Sequence, residues 1–109
     1  MPRLTAEFWV HAYLRRLSLA NIPAFVVQKG DATAGAVLVK SNALDGRAIL
    51  FHRTYDGEGQ RVWSELSAGP ELEMDNLITR QRKFDPDLWV IEVEDQSGRT
   101  LLDGEGLFG

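Results

Sequence analysis

The residues of this sequence best suited to metal chemistry are the carboxylates between positions 85 and 95. Asp85 and Asp87 flank a proline, and Glu92 and Glu94 follow two residues apart in a strand-like run. Two carboxylates can hold Mg²⁺ for phosphoester hydrolysis, and in many metal-dependent nucleases a nearby lysine polarises the attack. Glu94 stands where that lysine would be. We therefore predict no catalytic metal here, and we keep a metal-dependent hydrolase built on these carboxylates as an alternative.

Histidine, cysteine and serine offer no further catalytic arrangement. His11 and His52 are the two histidines, and they lie in different predicted elements without a second histidine at helical spacing. Cysteine is absent, which excludes disulfides, thiolate metal sites and cysteine nucleophiles. No serine has the flanking glycines of a nucleophile elbow. We therefore predict no catalytic, cofactor-binding or metal-binding residue.

The segment KGDATAGAVLVK, residues 29–40, contains the glycine spacing of a phosphate-binding loop, with four residues between Gly30 and Gly35. Such a loop needs Lys and then Ser or Thr directly after the second glycine, and a helix that points its N–H groups at the phosphates. Alanine and valine follow Gly35 instead, and the next segment is strand-like. We predict a turn between two strands, in which Gly30, Asp31 and Gly35 supply turn conformations.

Basic residues are concentrated towards the ends of two predicted helices: Arg15, Arg16, Arg80, Arg82 and Lys83. Cations at these positions offset the helix macrodipole, which is the interpretation we favour. The alternative is a nucleic-acid-binding domain that uses these helix-end arginines. The formal net charge of -4 argues against nucleic acid and against an anionic membrane surface as partners.

The chain contains three tryptophans, and most of them should lie in the core. Trp63 is the best candidate for a contact with a partner, because it shares its strand face with the polar residues Arg61 and Glu65.

Apolar residues at helical spacing predict two helices. The first begins after the N-cap Thr5 and ends before Pro23, and its apolar positions are Val10, Tyr13, Leu14 and Leu17. The second runs from Glu71 to Lys83, with acidic residues early and basic residues late, as the macrodipole favours.

Short segments of apolar and β-branched residues predict five strands. They are AFVVQK from Ala24, GAVLVKS from Gly35, Arg47–Tyr55, Arg61–Leu66 and Leu88–Glu94. DGEGQ, residues 56–60, predicts a hairpin turn, and SAGP, residues 67–70, predicts the end of the fourth strand. We expect residues 24–66 to form contiguous antiparallel strands. In the last strand, the residues expected to be buried against the helices are Trp89, Ile91 and Val93.

The element order α-β-β-β-β-α-β predicts an α+β fold, with a mainly antiparallel sheet of about five strands and both helices packed on one face. A length of 109 residues, 44% of them hydrophobic, suits one domain over residues 1–109, and we expect residues 103–109 to form a loose tail. The N-terminal region lacks a signal peptide, and no apolar run is long enough to span a bilayer. With no cysteine present, we expect a cytoplasmic protein.

Three segments carry a resemblance to a known family: RLTAEFWVHAYLRR, IPAFVVQKGDATAGAVLVK and FDPDLWVIEVED. They resemble domain-of-unknown-function family 1491, a family of short alphaproteobacterial proteins. The resemblance implies a small cytoplasmic bacterial protein, and it implies no activity, cofactor or site residue. We therefore predict a non-enzymatic binding or interaction module that contacts a protein partner or self-associates through a sheet edge or an exposed aromatic residue. No small-molecule ligand can be identified from the sequence.

Overall fold

A computed structural model of the chain describes residues 4–102. Two helices pack on one five-stranded sheet, as the predicted element order requires. The elements are α1 (Ala6–Leu19), β1 (Ala24–Gln28), β2 (Val37–Asn42), β3 (Arg47–Tyr55), β4 (Arg61–Pro70), α2 (Glu71–Phe84) and β5 (Trp89–Glu94). The α+β class, the order of the elements and the mainly antiparallel sheet are confirmed. The predicted loose tail, residues 103–109, lies outside the described residues.

Local residues account for both ends of α1. The Thr5 side chain accepts a hydrogen bond from the Phe8 N–H at 3.2 Å and so caps α1. After α1, Asn21 takes a positive φ of 59°, and Pro23 precludes further helix. The second helix begins directly after Pro70, and Asp85 is its C-cap. Neither helix in the described part of the chain is long and apolar enough to cross a membrane.

The fourth strand is longer than predicted. SAGP was expected to end it, but β4 continues through these residues and its pairing with β3 extends to Arg47 opposite Pro70. Proline is tolerated here because β4 lies at the sheet edge and Pro70 is its last residue. The hairpin turn at residues 56–60 is confirmed, with the Asp56 N–H donating to the Gln60 carbonyl at 2.9 Å.

The strand order β1-β5-β2-β3-β4 departs from the predicted arrangement at one place. β5 lies between β1 and β2, antiparallel to β1 and parallel to β2. The expectation of contiguous antiparallel strands over residues 24–66 is therefore correct for β2, β3 and β4 and wrong for β1. The physical reason is burial: residues 89–93 of β5 are buried on both faces of the strand, so β5 is most stable in the interior of the sheet.

The helices lie on opposite faces of the sheet, so the prediction that both pack on one face is wrong. Two separate apolar clusters show this arrangement. Beneath α1 lie Val39, Trp89, Ile91 and Val93, and beneath α2 lie Leu38, Leu50, Leu88 and Val90. Successive side chains of the central strands point to opposite faces of the sheet. Apolar side chains therefore lie on both faces, and each face needs a helix to cover it. The predicted burial of Trp89, Ile91 and Val93 is confirmed.

Candidate functional site

The segment with the phosphate-loop spacing forms a loop, as predicted, and it crosses the start of β5. Gly30 and Gly35 both lie against Asp87 and Trp89, where a β-carbon would collide with the Asp87 carbonyl oxygen and the Trp89 ring. The Trp89 indole N–H donates to the Asp31 carbonyl at 2.7 Å. The glycines are therefore explained by the close approach of the loop to β5.

The polar groups of the same loop are used within the protein. Its carbonyls at Ala32 and Thr33 accept the first N–H groups of α1, from Glu7 at 2.9 Å and Ala6 at 3.1 Å. The Asp31 side chain accepts the N–H groups of Thr33 and Ala34, at 3.2 and 2.8 Å. A phosphate cradle needs N–H groups that point at the ligand. The loop instead caps α1 and holds Trp89.

The carboxylates of the 85–95 segment divide between the two ends of β5. Asp85 and Asp87 shape the turn before the strand, where the Asp85 side chain accepts the Asp87 N–H at 3.1 Å. Glu92 and Glu94 lie at the far end, on the face covered by α2. Within residues 4–102, no group of three or more acidic or histidine side chains has a geometry that could hold a metal ion. The predicted lack of a catalytic metal stays a prediction.

A lysine does lie beside Glu92, and it comes from the neighbouring strand. Lys40 of β2 is paired in register with Glu92 of β5, and only 4% of it is exposed. Its Nζ lies 2.7 Å from Glu71 Oε2, 2.7 Å from Asp75 Oδ1 and 3.2 Å from Glu92 Oε1. Asn42 adds hydrogen bonds to Glu71 at 3.0 Å and to Glu92 at 3.2 Å. We call these five residues the Lys40 network.

The charges of the Lys40 network shift the pKa values of its members and neighbours. Burial alone would lower the pKa of Lys40, but the hydrogen bonds that its ammonium group donates to Asp75, Glu71 and Glu92 outweigh burial and hold that pKa well above its ordinary value. Glu94, at the margin of the network, has its pKa raised, chiefly by its hydrogen bond with Glu92. Lys40 is therefore fully charged at neutral pH and surrounded by carboxyl groups.

The geometry of the Lys40 network indicates a structural role. An ammonium group has three N–H donors, and three carboxylates lie within bonding distance of this one. The network joins β2 and β5 to the first half of α2. Sequence reasoning missed it, although one signal was available: Lys40 directly follows the apolar residues 37–39 in the strand VLVKSN, and a lysine in a buried strand requires a counter-charge.

Trp63, the predicted partner contact, is held by other side chains of the protein. Its ring centroid lies 5.3 Å from that of Trp9, and the Arg53 guanidinium lies 5.0 Å from its ring. Trp63 is half-buried, whereas Tyr55 at the end of β3 is 62% exposed. Of the aromatic residues of β3 and β4, Tyr55 is thus the more accessible to a partner. The prediction for Trp63 stays untested.

The other residues considered for binding are not brought together. The arginines near the end of α1 and the basic residues near the end of α2 lie on helices that cover opposite faces of the sheet. They therefore do not form one basic surface. His11 is exposed on α1, and His52 is half-buried in β3 on the face that α2 covers, so the histidines are also apart.

An apolar sheet edge is the candidate interaction surface. Phe25, Val26 and Val27 are adjacent in β1, and they are exposed by 46%, 37% and 49%. β1 lies at the edge of the sheet and pairs with β5 on its other side. The opposite edge, β4, carries Arg61 and Glu65, and charged residues are a usual protection of sheet edges against association. β1 has no such charge between residues 24 and 28.

Comparison with known proteins gives the family. The model of the family described as "Protein of unknown function (DUF1491)" matches residues 4–103. A crystal structure of a DUF1491 family protein from Caulobacter crescentus is 41% identical, covers 92% of this chain and 95% of that one, and has a TM-score of 0.83. An NMR structure of a DUF1491 family protein from the same organism is 40% identical, with a TM-score of 0.80 and coverage of 94% and 96%.

A third similar structure, a solution structure of a protein from A. tumefaciens, is 34% identical, covers 93% of each chain and has a TM-score of 0.77. No curated protein matches the chain. The bacterial sources of these relatives agree with the predicted bacterial origin. The chain belongs to the DUF1491 family, which has no assigned function.

Proposed function

We propose that this chain is a non-enzymatic interaction module that binds an extended protein segment along the edge strand β1. The observation that carries the proposal is the run of three adjacent apolar residues, Phe25, Val26 and Val27, exposed on an edge strand. Contiguous apolar surface of this kind marks interaction sites on soluble domains. An edge strand offers the backbone groups that pair with a further strand.

Strand addition uses both the backbone and the side chains of β1. Main-chain hydrogen bonds to the added strand supply affinity, and alternating side chains supply specificity. Phe25 is opposite Glu92 and lies on the α2 face, while Val26 is opposite Ile91 and lies on the α1 face. A partner strand therefore covers apolar surface on both faces, at a gain of about 1 kcal/mol for each half-exposed side chain.

The polar clusters favour an interaction role over catalysis. The hydrogen-bonding capacity of the Lys40 ammonium is taken up by carboxylates of the same chain. The loop with Gly30 and Gly35 is likewise committed to contacts within the protein. We also place the protein in the cytoplasm, because a domain without cysteine needs no oxidising compartment to fold.

The test is selection of binders from a displayed library of short linear peptides. We expect the selected peptides to be extended and rich in β-branched and aromatic residues, and to shift the backbone amide NMR signals of residues 24–28. Val26→Pro should abolish their binding, because proline removes the N–H that β1 offers to an added strand. Circular dichroism and the melting temperature establish that the variant is folded.

A matched control separates β1 from the exposed aromatic residue at the end of β3. Tyr55→Ala removes an exposed ring, 62% accessible, and should leave peptide binding unchanged. Peptides that bind Val26→Pro as tightly as the natural chain, or that lose binding in Tyr55→Ala, would contradict the proposal.

A further inference from the structure

We infer that the segment added to β1 is β1 of a second copy of this chain, paired antiparallel about a two-fold axis beside Phe25. The inference rests on the proposed function, because it names the partner of the same sheet edge. The result is one continuous sheet through two protomers, in which each copy contributes the same surface.

The hydrogen-bond pattern of β1 determines which groups face the second copy. The Glu94 N–H donates to the Pro23 carbonyl at 2.9 Å, so residue 23 belongs to a hydrogen-bonded pair with β5. Such pairs alternate along antiparallel strands. Phe25 therefore bonds to β5, while the N–H and C=O groups of Ala24 and Val26 point away from the sheet.

With a two-fold axis beside Phe25, all of these outward N–H and C=O groups form hydrogen bonds with the second copy. Ala24 of each copy lies opposite Val26 of the other, and the two pairs form about four backbone hydrogen bonds. The pairing is limited at both ends. Pro23 starts the edge, and the register shift between Val26 and Gln28 bends the strand at its other end. The usable segment, residues 24–26, is centred on Phe25, which is the symmetry that an isologous contact requires.

The side chains of this segment suit self-pairing. Residues 22–28 contain no ionisable side chain, so two copies meet along the edge without like charges opposite each other. Phe25 of one copy faces Phe25 of the other in a non-hydrogen-bonded pair, where side chains lie closest and aromatic pairs are favourable. The β4 edge differs, because it carries the charged side chains of Arg61 and Glu65, which a paired strand would partly desolvate.

The size of the contact sets its strength. Three paired residues in each copy bury much less than the roughly 1,200 Å² of total area that stable interfaces reach, so the dimer should be reversible and populated at high concentration. Each copy carries a net charge of -4. Since the contact itself is uncharged, added salt should screen the repulsion between copies and strengthen the dimer.

The experiment is sedimentation velocity of the full chain from low micromolar to near-millimolar concentration, at low and at moderate salt. We expect a shift from monomer to dimer with concentration and a lower dissociation constant at the higher salt. Hydrogen exchange at high concentration should show added protection at the amides of Ala24 and Val26 and not at that of Phe25. A chain that stays monomeric over the whole range would overturn the inference.

Two variants locate the contact. Phe25→Lys places two ammonium groups opposite each other at the axis, and Val26→Pro removes the outward N–H. Either change should leave the chain monomeric while the melting temperature measured at low concentration is retained. Leu72→Lys is the control, because Leu72 is 73% exposed on α2 and the change should leave the dimer intact.

The outcomes separate the two claims. A dimer that persists in both variants uses another surface and overturns the inference. A monomer that still binds selected peptides through β1 overturns the second copy as the partner and keeps the proposed function. Loss of dimer and peptide binding together in Val26→Pro supports both.

Discussion

Lys40→Met removes an ammonium group from the centre of the Lys40 network while keeping most of the side-chain volume. The Lys40 side chain is 5% exposed, and Glu92 beside it is 12% exposed. The change leaves Glu92 as a buried carboxylate without its counter-charge, next to Glu94, Glu71 and Asp75. We expect a large loss of stability, because an unpaired buried charge cannot recover the solvation that it lost on folding.

The size of the stability loss depends on which carboxylates can be hydrated again once the ammonium group is gone. Removing one partner of a buried ion pair costs about 3–5 kcal/mol. Glu71 and Asp75 have side chains that are 37% and 49% exposed, so both can be hydrated again after the substitution. The loss should therefore lie near the lower end, about 3 kcal/mol. At 4–8 °C for each kcal/mol, the melting temperature should fall by about 12–24 °C.

The loss of stability in Lys40→Met should depend on pH, which a loss caused by misfolding alone would not. In the natural chain the folded pKa of Lys40 is raised, so its contribution is fully present below the unfolded pKa and is lost only at strongly alkaline pH. In the variant the crowded carboxyl groups bind protons more readily folded than unfolded. The variant therefore recovers stability relative to the natural chain as the pH falls towards the ordinary glutamate pKa of about 4.3.

The assay is urea denaturation of both chains at neutral pH and near the glutamate pKa. Lys29→Met is the control, since Lys29 is 71% exposed and lies 3.9 Å from Glu7, and its loss should stay within about 0.5 kcal/mol. A Lys40→Met chain that loses less than about 1 kcal/mol, or whose deficit is the same at both pH values, would refute this reasoning.

Two further predictions concern the loop that crosses β5. Trp89→Ala should cost about 3–5 kcal/mol in urea denaturation, because the ring is 2% exposed and its N–H bonds to Asp31; an unchanged melting temperature would contradict the assigned strand face. Gly30→Ala should cost about 1–3 kcal/mol, because its β-carbon meets the Asp87 carbonyl and the Trp89 ring. Gly57→Ala is the control, with open space around the added carbon; equal losses in both glycine variants would exclude the contact with β5 as the cause.

Local patterns could be predicted where the deciding interactions are near in sequence. The alternation of RAILFHRTY gave β3 its bounds, Arg47–Tyr55, and the separation of acidic from basic residues gave α2 to within one residue. The end of β4 was missed because SAGP has the composition of a turn. Its residues remain in the strand because β3 pairs with them.

The neighbours of each strand could not be predicted in the same way. The loop containing Gly30 and Gly35 has the composition of a hairpin turn, yet it passes over β5, which is encoded more than fifty residues later. The candidate interaction surface depends on this arrangement, because β1 is an edge strand only when β5 takes its inner side. Composition alone pointed to a sheet edge without indicating which strand forms it.

By itself the sequence determined the order of the elements, the α+β class and the exclusion of thiol chemistry, because these depend on residue type and short-range periodicity. The tertiary structure decided that β5 enters between β1 and β2, that the helices cover opposite faces and that Lys40 meets Glu92. The physical reason is that the alternation of apolar and polar residues predicts only which side chains share a face of a strand. Which strand lies beside it, and what covers each face, is set by burying apolar surface and pairing charge across the whole chain.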